Sequence, residues 1–121
     1  MNDCIFCKII KGDIPCKKVY EDDLIFGFLD IDPHGDGHML LIPKEHYNDV
    51  YSIPDDVFNH IHKVSLELSK KLMSKLDKDG IGITYNYGSE QQVKHFHLHL
   101  IPEFSKGCSM NIDDVYTKLV E

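Results

Sequence analysis

Near its C-terminal end the chain alternates three histidines with apolar residues, in the run KHFHLHLIP at positions 94–102. Alternate side chains of a β-strand lie on the same face. A strand here therefore places His95, His97 and His99 on one face, with neighbouring histidines about 6.5–7 Å apart. The intervening phenylalanine and leucines lie on the other face and point into a core. The pattern predicts a sheet strand with one polar and one apolar side.

One long amphipathic helix dominates the middle of the chain, because Val57, Ile61, Val64, Leu68 and Leu72 recur every three or four residues. Shorter apolar segments bounded by Gly, Pro and Asp predict the other elements. Together they predict an α+β fold with about five mostly antiparallel strands, one long helix and short N- and C-terminal helices. The expected helices are 4–11, 52–76 and 111–120, and the expected strands are 19–21, 24–30, 38–42, 81–86 and 96–102.

The composition excludes several classes of protein. The 121 residues contain no repeat, linker or change of composition, so we expect one domain over residues 1–121. A formal net charge of −7 disfavours binding to nucleic acid or to an anionic membrane. The apolar stretches are far shorter than the roughly 20 residues of a membrane span, and the first ten residues lack the basic start of a secretory signal. We therefore expect a cytoplasmic protein whose four cysteines are reduced.

The alternating histidines have three interpretations. A solvated strand face would use Thr, Lys or Glu as readily as histidine, so three imidazoles in strict alternation favour a chemical role. A three-histidine metal site is reasonable, since imidazole is a common zinc ligand. However, three ligands on one straight strand converge poorly on a tetrahedral ion, so catalysis ranks above metal binding.

Cys4 and Cys7 form a C-x2-C pair, whose role the spacing alone leaves open. Such a pair belongs to a redox site, a metal site or neither. The redox alternative needs a thioredoxin-like βαβ setting, which the predicted elements lack. Two thiolates at this spacing supply half of a tetrahedral zinc site.

The sequence resembles the histidine-triad (HIT) family. The signature His-φ-His-φ-His-φ-φ is matched completely by residues 95–101. Residues 4–15 are similar to the family's opening segment, and residues 30–33 and 37–46 to its central stretch. The resemblance covers most of residues 4–102, the motif-bearing part of the chain, and points to the nucleoside phosphoramidase-like branch.

The resemblance implies a nucleotide hydrolase that cleaves at the α-phosphorus and releases a nucleoside monophosphate. His97 would be the nucleophile and form a nucleotidyl-histidine intermediate. His99 would lie at the scissile bond and assist the leaving group. His38 would lie beside His97 and set its orientation, and His95 completes the catalytic set.

The resemblance also assigns substrate contacts and a metal site. Asp30 would accept hydrogen bonds from both ribose hydroxyls of a purine nucleotide. A structural zinc ion would be held by the cysteine pair, by the histidine after Pro-Lys and by the first triad histidine. The base pocket would comprise Ile5, Phe6, Ile9 and Phe28; the phosphate and leaving-group contacts Asn86 and Gln91; and the zinc ligands Cys4, Cys7, His46 and His95.

The loop before the triad departs from the family pattern. The loop segment at residues 87–90 is about two residues shorter than in the family pattern, and Gln92 stands where the family often has Ser or Thr. A shorter loop would move Gln91, on which the preferred leaving group depends.

The sequence and the resemblance leave alternative functions open. A dinucleoside polyphosphate hydrolase shares the triad, whereas the nucleotidyltransferase branch has Gln at its third position, where this chain has His99. A non-catalytic nucleotide-binding module would not need all the histidines. The family commonly forms homodimers through the long helix and a strand, and Phe58, Leu66 and Met73 add apolar surface to that helix.

Overall fold

The computed structural model describes residues 4–121 and confirms the expected α+β architecture. All strand pairs are antiparallel, and the strands lie side by side in the order β1-β2-β3-β5-β4. The helices are α1 (Ile5–Lys11), α2 (Asp55–Leu76) and α3 (Ile112–Val120). The strands are β1 (Lys18–Glu21), β2 (Ile25–Leu29), β3 (Met39–Pro43), β4 (Ile81–Thr84) and β5 (Leu98–Pro102).

The two faces of the sheet carry separate apolar clusters. The larger cluster joins the sheet to α2 and α3, and it includes Phe96, Leu98 and Leu100 from the histidine-containing run. The smaller cluster lies on the opposite face, where Phe6 and Ile9 of α1 pack against the sheet. The predicted alternation is confirmed, because the apolar residues between the histidines lie in the core on the α2 side.

The predicted element ends differ from the structure where tertiary contacts decide them. Strand β5 begins at Leu98 and not at 96, because its pairing with β3 spans only Leu98 to Leu100. Before it, the Phe96 amide donates to the Tyr47 carbonyl (2.7 Å) outside the ladder. Helix α2 begins three residues later than predicted and ends at Leu76, where Asp77 takes a left-handed conformation (φ 56°).

The loop between β2 and β3 is anchored to the C-terminal segment through Asp36, which is buried. Its carboxylate accepts hydrogen bonds from the backbone amides of Ser109 and Met110 (both 3.0 Å) and from Lys78 Nζ (3.2 Å). Gly37 has φ of +90°, and a Cβ atom there would lie 2.5 Å from Leu76 Cδ1, so this position requires glycine. These contacts hold the start of β3, where His38 lies.

No helix within residues 4–121 is both long and apolar enough to span a membrane.

Candidate active site and metal centre

A cavity of about 240 Å³ opens beside the triad histidines. Its walls come from the β2–β3 loop, from the end of β4 and the chain that follows it, and from β5 and the residue before it. Since β5 lies between β3 and β4 in the sheet, His97 and His99 occupy the middle of the cavity. The lining residues are Asp30, Asp32, His34, His38, Thr84, Asn86, Glu90, Gln92, His97, His99 and Ile101.

The backbone sets the tautomer of His97. Its Nδ1 lies 2.9 Å from the carbonyl oxygen of His95, and a carbonyl accepts only from N–H. Nδ1 therefore carries the proton, and the lone pair of Nε2 is free. Burial lowers the pKa of His97, which favours the neutral ring. A neutral imidazole with a free Nε2 is suited to nucleophilic attack.

A chain of hydrogen bonds sets the tautomer of His99. The backbone N–H of His34 donates to Nδ1 of His38 (3.0 Å), so the His38 proton is on Nε2. That N–H lies 2.9 Å from Nδ1 of His99 and donates to it. The remaining proton of His99 is thus on Nε2, which makes this atom a hydrogen-bond donor. Burial, together with the imidazoles of His97 and His38, lowers the pKa of His99 to about 4.

His38 therefore orients His99, and not His97 as the resemblance implied. The rings of His38 and His99 lie 5.2 Å apart, and those of His97 and His99 lie 5.0 Å apart. Asp30 Oδ2 lies 3.5 Å from His38 Nε2. Asp30, His38 and His99 are close enough together to suggest a metal site. The proton on His38 Nε2 removes the lone pair that a metal would need there.

The structure places two predicted polar residues differently. Asn86 lines the cavity, whereas Gln91 is buried and its Nε2 donates to the carbonyls of Asn48 (2.7 Å) and Val93 (3.0 Å). Gln91 has an extended backbone, so successive side chains point in opposite directions. Glu90 and Gln92, on either side of it, line the cavity instead.

Phe6 and Phe28, two of the four apolar residues assigned to the base, form an apolar wall beside the triad. Phe6 packs its ring against Phe28 (5.7 Å between centroids) and against His97 (5.1 Å). Phe6, Ile9 and Phe28 are buried in the smaller core cluster, and Ile5 is 45% exposed. None of these four side chains, all within the described part of the chain, lines the cavity itself.

A second cluster of titratable residues joins α1 to the ends of β3 and β5. Cys4 Sγ lies 3.3 Å from His95 Nδ1, and Cys7 Sγ lies 3.3 Å from His46 Nδ1 and 3.6 Å from His95 Nδ1. All four ligand atoms lie within 4.8 Å of one another. Tetrahedral ligands at zinc–sulfur and zinc–nitrogen bond lengths lie about 3.5 Å apart, so the spacing fits zinc.

The surroundings of the two histidines support metal binding. His95 Nε2 lies 2.9 Å from the Pro43 carbonyl, and His46 Nε2 lies 2.8 Å from Asn48 Oδ1. Both rings therefore hold their proton on Nε2 and direct the Nδ1 lone pair at the thiols. Burial lowers the pKa of His95 to about 4 and so favours its neutral form, the form that binds a metal.

The position of His95 argues against a direct catalytic part. Both of its ring nitrogens are engaged outside the cavity, one at the cysteines and one at the Pro43 carbonyl. It is fully buried and does not line the cavity in the part of the chain that the structure describes.

Burial, followed by the effect of Cys4, raises the pKa of the Cys7 thiol. Two neighbouring thiolates are costly to form without a cation, and a divalent ion supplies the missing positive charge.

The sequence profile of the HIT domain matches residues 11–106. The chain belongs to the HIT family. A HIT-like protein of Methanocaldococcus jannaschii is 44% identical over 103 residues, which cover 84% of this chain and 79% of that protein. The adenosine 5′-monophosphoramidase of Candida albicans is 40% identical over 117 residues, covering 90% and 76% of the two chains.

Solved structures of the HIT family share the fold. The crystal structure of a zinc-bound histidine triad protein from Mycobacterium smegmatis superimposes with a TM-score of 0.89 at 32% identity. The match covers 97% of this chain and 90% of that one. Zinc is thus present in a HIT protein of closely similar fold.

Sequence reasoning missed several residues of the cavity. Ile101 lies two residues after His99 on the same strand, so the alternation itself could have placed it there. Thr84 is opposite His99 in the β4–β5 ladder, which only the strand register reveals. The other lining residues to which the sequence assigned no role are Asp32, His34, Glu90 and Gln92, which lie between β2 and β3 or between β4 and β5.

Proposed function

We propose that this HIT protein hydrolyses nucleoside 5′-phosphoramidates to a nucleoside monophosphate and a free amine. One observation carries the proposal: the free Nε2 of His97 lies in a cavity beside His99, whose Nε2 carries a proton. The first atom is a nucleophile, and the second is a donor to the leaving group. The similarity to the Candida albicans monophosphoramidase supports this bond type.

The proposed reaction has two steps. His97 Nε2 attacks the α-phosphorus, the phosphorus–nitrogen bond breaks, and the leaving nitrogen takes a proton through His99. Water then attacks phosphorus and the phosphorus–Nε2 bond breaks, which regenerates neutral His97. The proton released by the water restores the one taken in the first step, so the overall reaction consumes only water.

Asp30 would bind the ribose. It follows β2 at one end of the cavity, and its Oδ1 accepts the Asp32 amide (2.9 Å). The second oxygen keeps a lone pair for the sugar hydroxyls. The purine base would then lie against the apolar wall that includes Phe6 and Phe28.

The proposed activity can be tested with substrates that differ only in the leaving group. We expect adenosine 5′-phosphoramidate to be converted to AMP faster than a diadenosine polyphosphate, measured by chromatography of the products. We also expect no transfer to a phosphosugar acceptor, since His99 occupies the third triad position. Failure to release AMP from any of these compounds would contradict the proposal. Faster hydrolysis of the diadenosine polyphosphate would indicate a dinucleoside polyphosphate hydrolase instead.

We further propose that Cys4, Cys7, His46 and His95 bind a structural zinc ion. Zinc would balance the charge of the two thiolates and link α1 to the ends of β3 and β5. Phe6 lies between the two cysteines in the sequence, and its ring packs against His97. An ion bound to the cysteines would therefore stabilise the apolar wall of the active site.

We also propose that two copies of the chain form a homodimer through α2 and β4. Strand β4 is at the edge of the sheet, and an apolar groove of about 350 Å³ runs beside it. Phe58 and Tyr85 line this groove, Tyr85 is 42% exposed and Leu66 on α2 is 46% exposed. Met73, the third apolar residue that we singled out on this helix, is half-buried.

The dimer proposal predicts a sedimentation mass of about twice the chain mass of 14.0 kDa at micromolar concentration. A mass near that of one chain would contradict it.

A further inference from the structure

The cavity beside the triad is lined by carboxylates and by no Lys or Arg within the described residues. Asp30 and Asp32 lie on the side of β2, and Glu90 lies in the segment that connects β4 to β5. A polyphosphate leaving group would bring several negative charges into this acidic cavity. Like charges repel strongly between low-dielectric walls, so the cavity favours a substrate with a single phosphate.

The strand order separates these carboxylates along the cavity. β2 and β4 lie three strand spacings apart, about 14 Å, with β3 and β5 between them. With the ribose at Asp30 and phosphorus at His97, the leaving group extends toward β4. Glu90 is the carboxylate on that side.

Glu90 has no cationic partner within residues 4–121. Its one side-chain contact is with Ser89 Oγ, at 3.4 Å. Lys94, the nearest lysine along the chain, donates instead to the Gly88 carbonyl (2.6 Å). The charge of Glu90 is thus available to a ligand.

The anchoring of Gln91 explains why Glu90 reaches the cavity. A single 3-10 turn, Gly88–Glu90, ends at Gln91, whose side chain is anchored to Asn48 and Val93. The extended backbone at Gln91 turns its two neighbours the other way, toward the cavity.

We propose that Glu90 determines leaving-group specificity by binding a cationic group on the departing amine. The substrate class is then a nucleoside 5′-phosphoramidate of a diamine, or of another amine whose tail ends in an ammonium group. This inference rests on the proposed function and adds the charge of the leaving group to it.

Two substrates of equal length test the inference: adenosine 5′-phosphoramidates of 1,4-diaminobutane and of n-pentylamine. At neutral pH only the first has a charged tail. We expect its kcat/KM to exceed that of the neutral compound by up to about five-fold at low salt, the upper end for a charge pair at an exposed carboxylate such as Glu90. The ratio should fall as salt screens the pair.

The variant Glu90→Gln should reduce this ratio to about one. Glu67→Gln serves as the matched control, because it removes a carboxylate from the exposed surface of α2 and should leave the ratio unchanged. Equal kcat/KM values for both substrates in the wild-type protein would overturn the inference but would still support the proposed hydrolase activity. A preference that persists in Glu90→Gln would overturn the role of Glu90, and turnover of neither substrate would mean that the proposed function itself fails.

Discussion

Replacing His97 with alanine is expected to lower the turnover of adenosine 5′-phosphoramidate by about 10⁴-fold or more, because losing a nucleophile removes the covalent route. Nucleotide binding should persist, since Asp30 and the apolar wall at Phe6 and Phe28 are unchanged. Single-turnover kinetics would measure the rate, and calorimetric titration with AMP would measure the binding. A variant that keeps a tenth of wild-type turnover would show that His97 is not the nucleophile.

The wild-type protein should also carry one nucleotidyl group during turnover. Acid-quenched samples analysed by peptide mass spectrometry should locate this group at His97. Because His97 is buried, a thermal melt must show that His97→Ala is folded. His60→Ala, at a half-buried histidine of α2 whose Nε2 lies 2.8 Å from Asp22 Oδ2, is the matched control and should keep full turnover. An adduct that forms equally in His97→Ala would contradict the assignment.

Replacing Cys4 and Cys7 with serine is expected to abolish zinc binding and to lower Tm by about 10–15 °C. Zinc at a hundred times its Kd stabilises a protein by about 3 kcal/mol, and each kcal/mol shifts Tm by roughly 3–6 °C at this chain length. Elemental analysis should find about one zinc ion per wild-type chain purified without chelator and none in the double variant.

Cys108→Ser is the matched control for the cysteine variants. Cys108 is exposed, its Sγ donates to the Pro33 carbonyl, and it does not belong to the cluster of the four proposed ligands. The Cys108→Ser variant should have the zinc content and Tm of the wild-type protein. Less than a tenth of an equivalent of zinc in the wild-type protein, or an unchanged Tm in the double variant, would refute the zinc site.

The alternation at 94–102 was enough to predict the half-buried strand, and the period of α2 was enough to predict its buried face. Both are local properties: the geometry of a strand or a helix decides which side chains share a side. The pairing of Cys4 and Cys7 with His46 and His95 was also expected, but only through the family resemblance. Spacing alone left the cysteine pair open, because the two histidines are distant in sequence.

Contacts between distant segments decided the rest. His38 could be predicted to lie near the triad, but only the β3–β5 pairing, which sets Leu40 opposite His99, brings its ring onto His99. Glu90 and Gln92 line the cavity instead of Gln91 because the side chain of Gln91 donates a hydrogen bond to the carbonyl of Asn48, 43 residues away. By itself the sequence determined the type of each element and the side on which the histidines lie, since backbone geometry repeats locally. Tertiary structure alone decided the conformation of the loop at Gln91 and which nitrogen of His95 and of His99 is protonated, since these depend on hydrogen-bond partners distant in sequence: Asn48, Pro43 and His38.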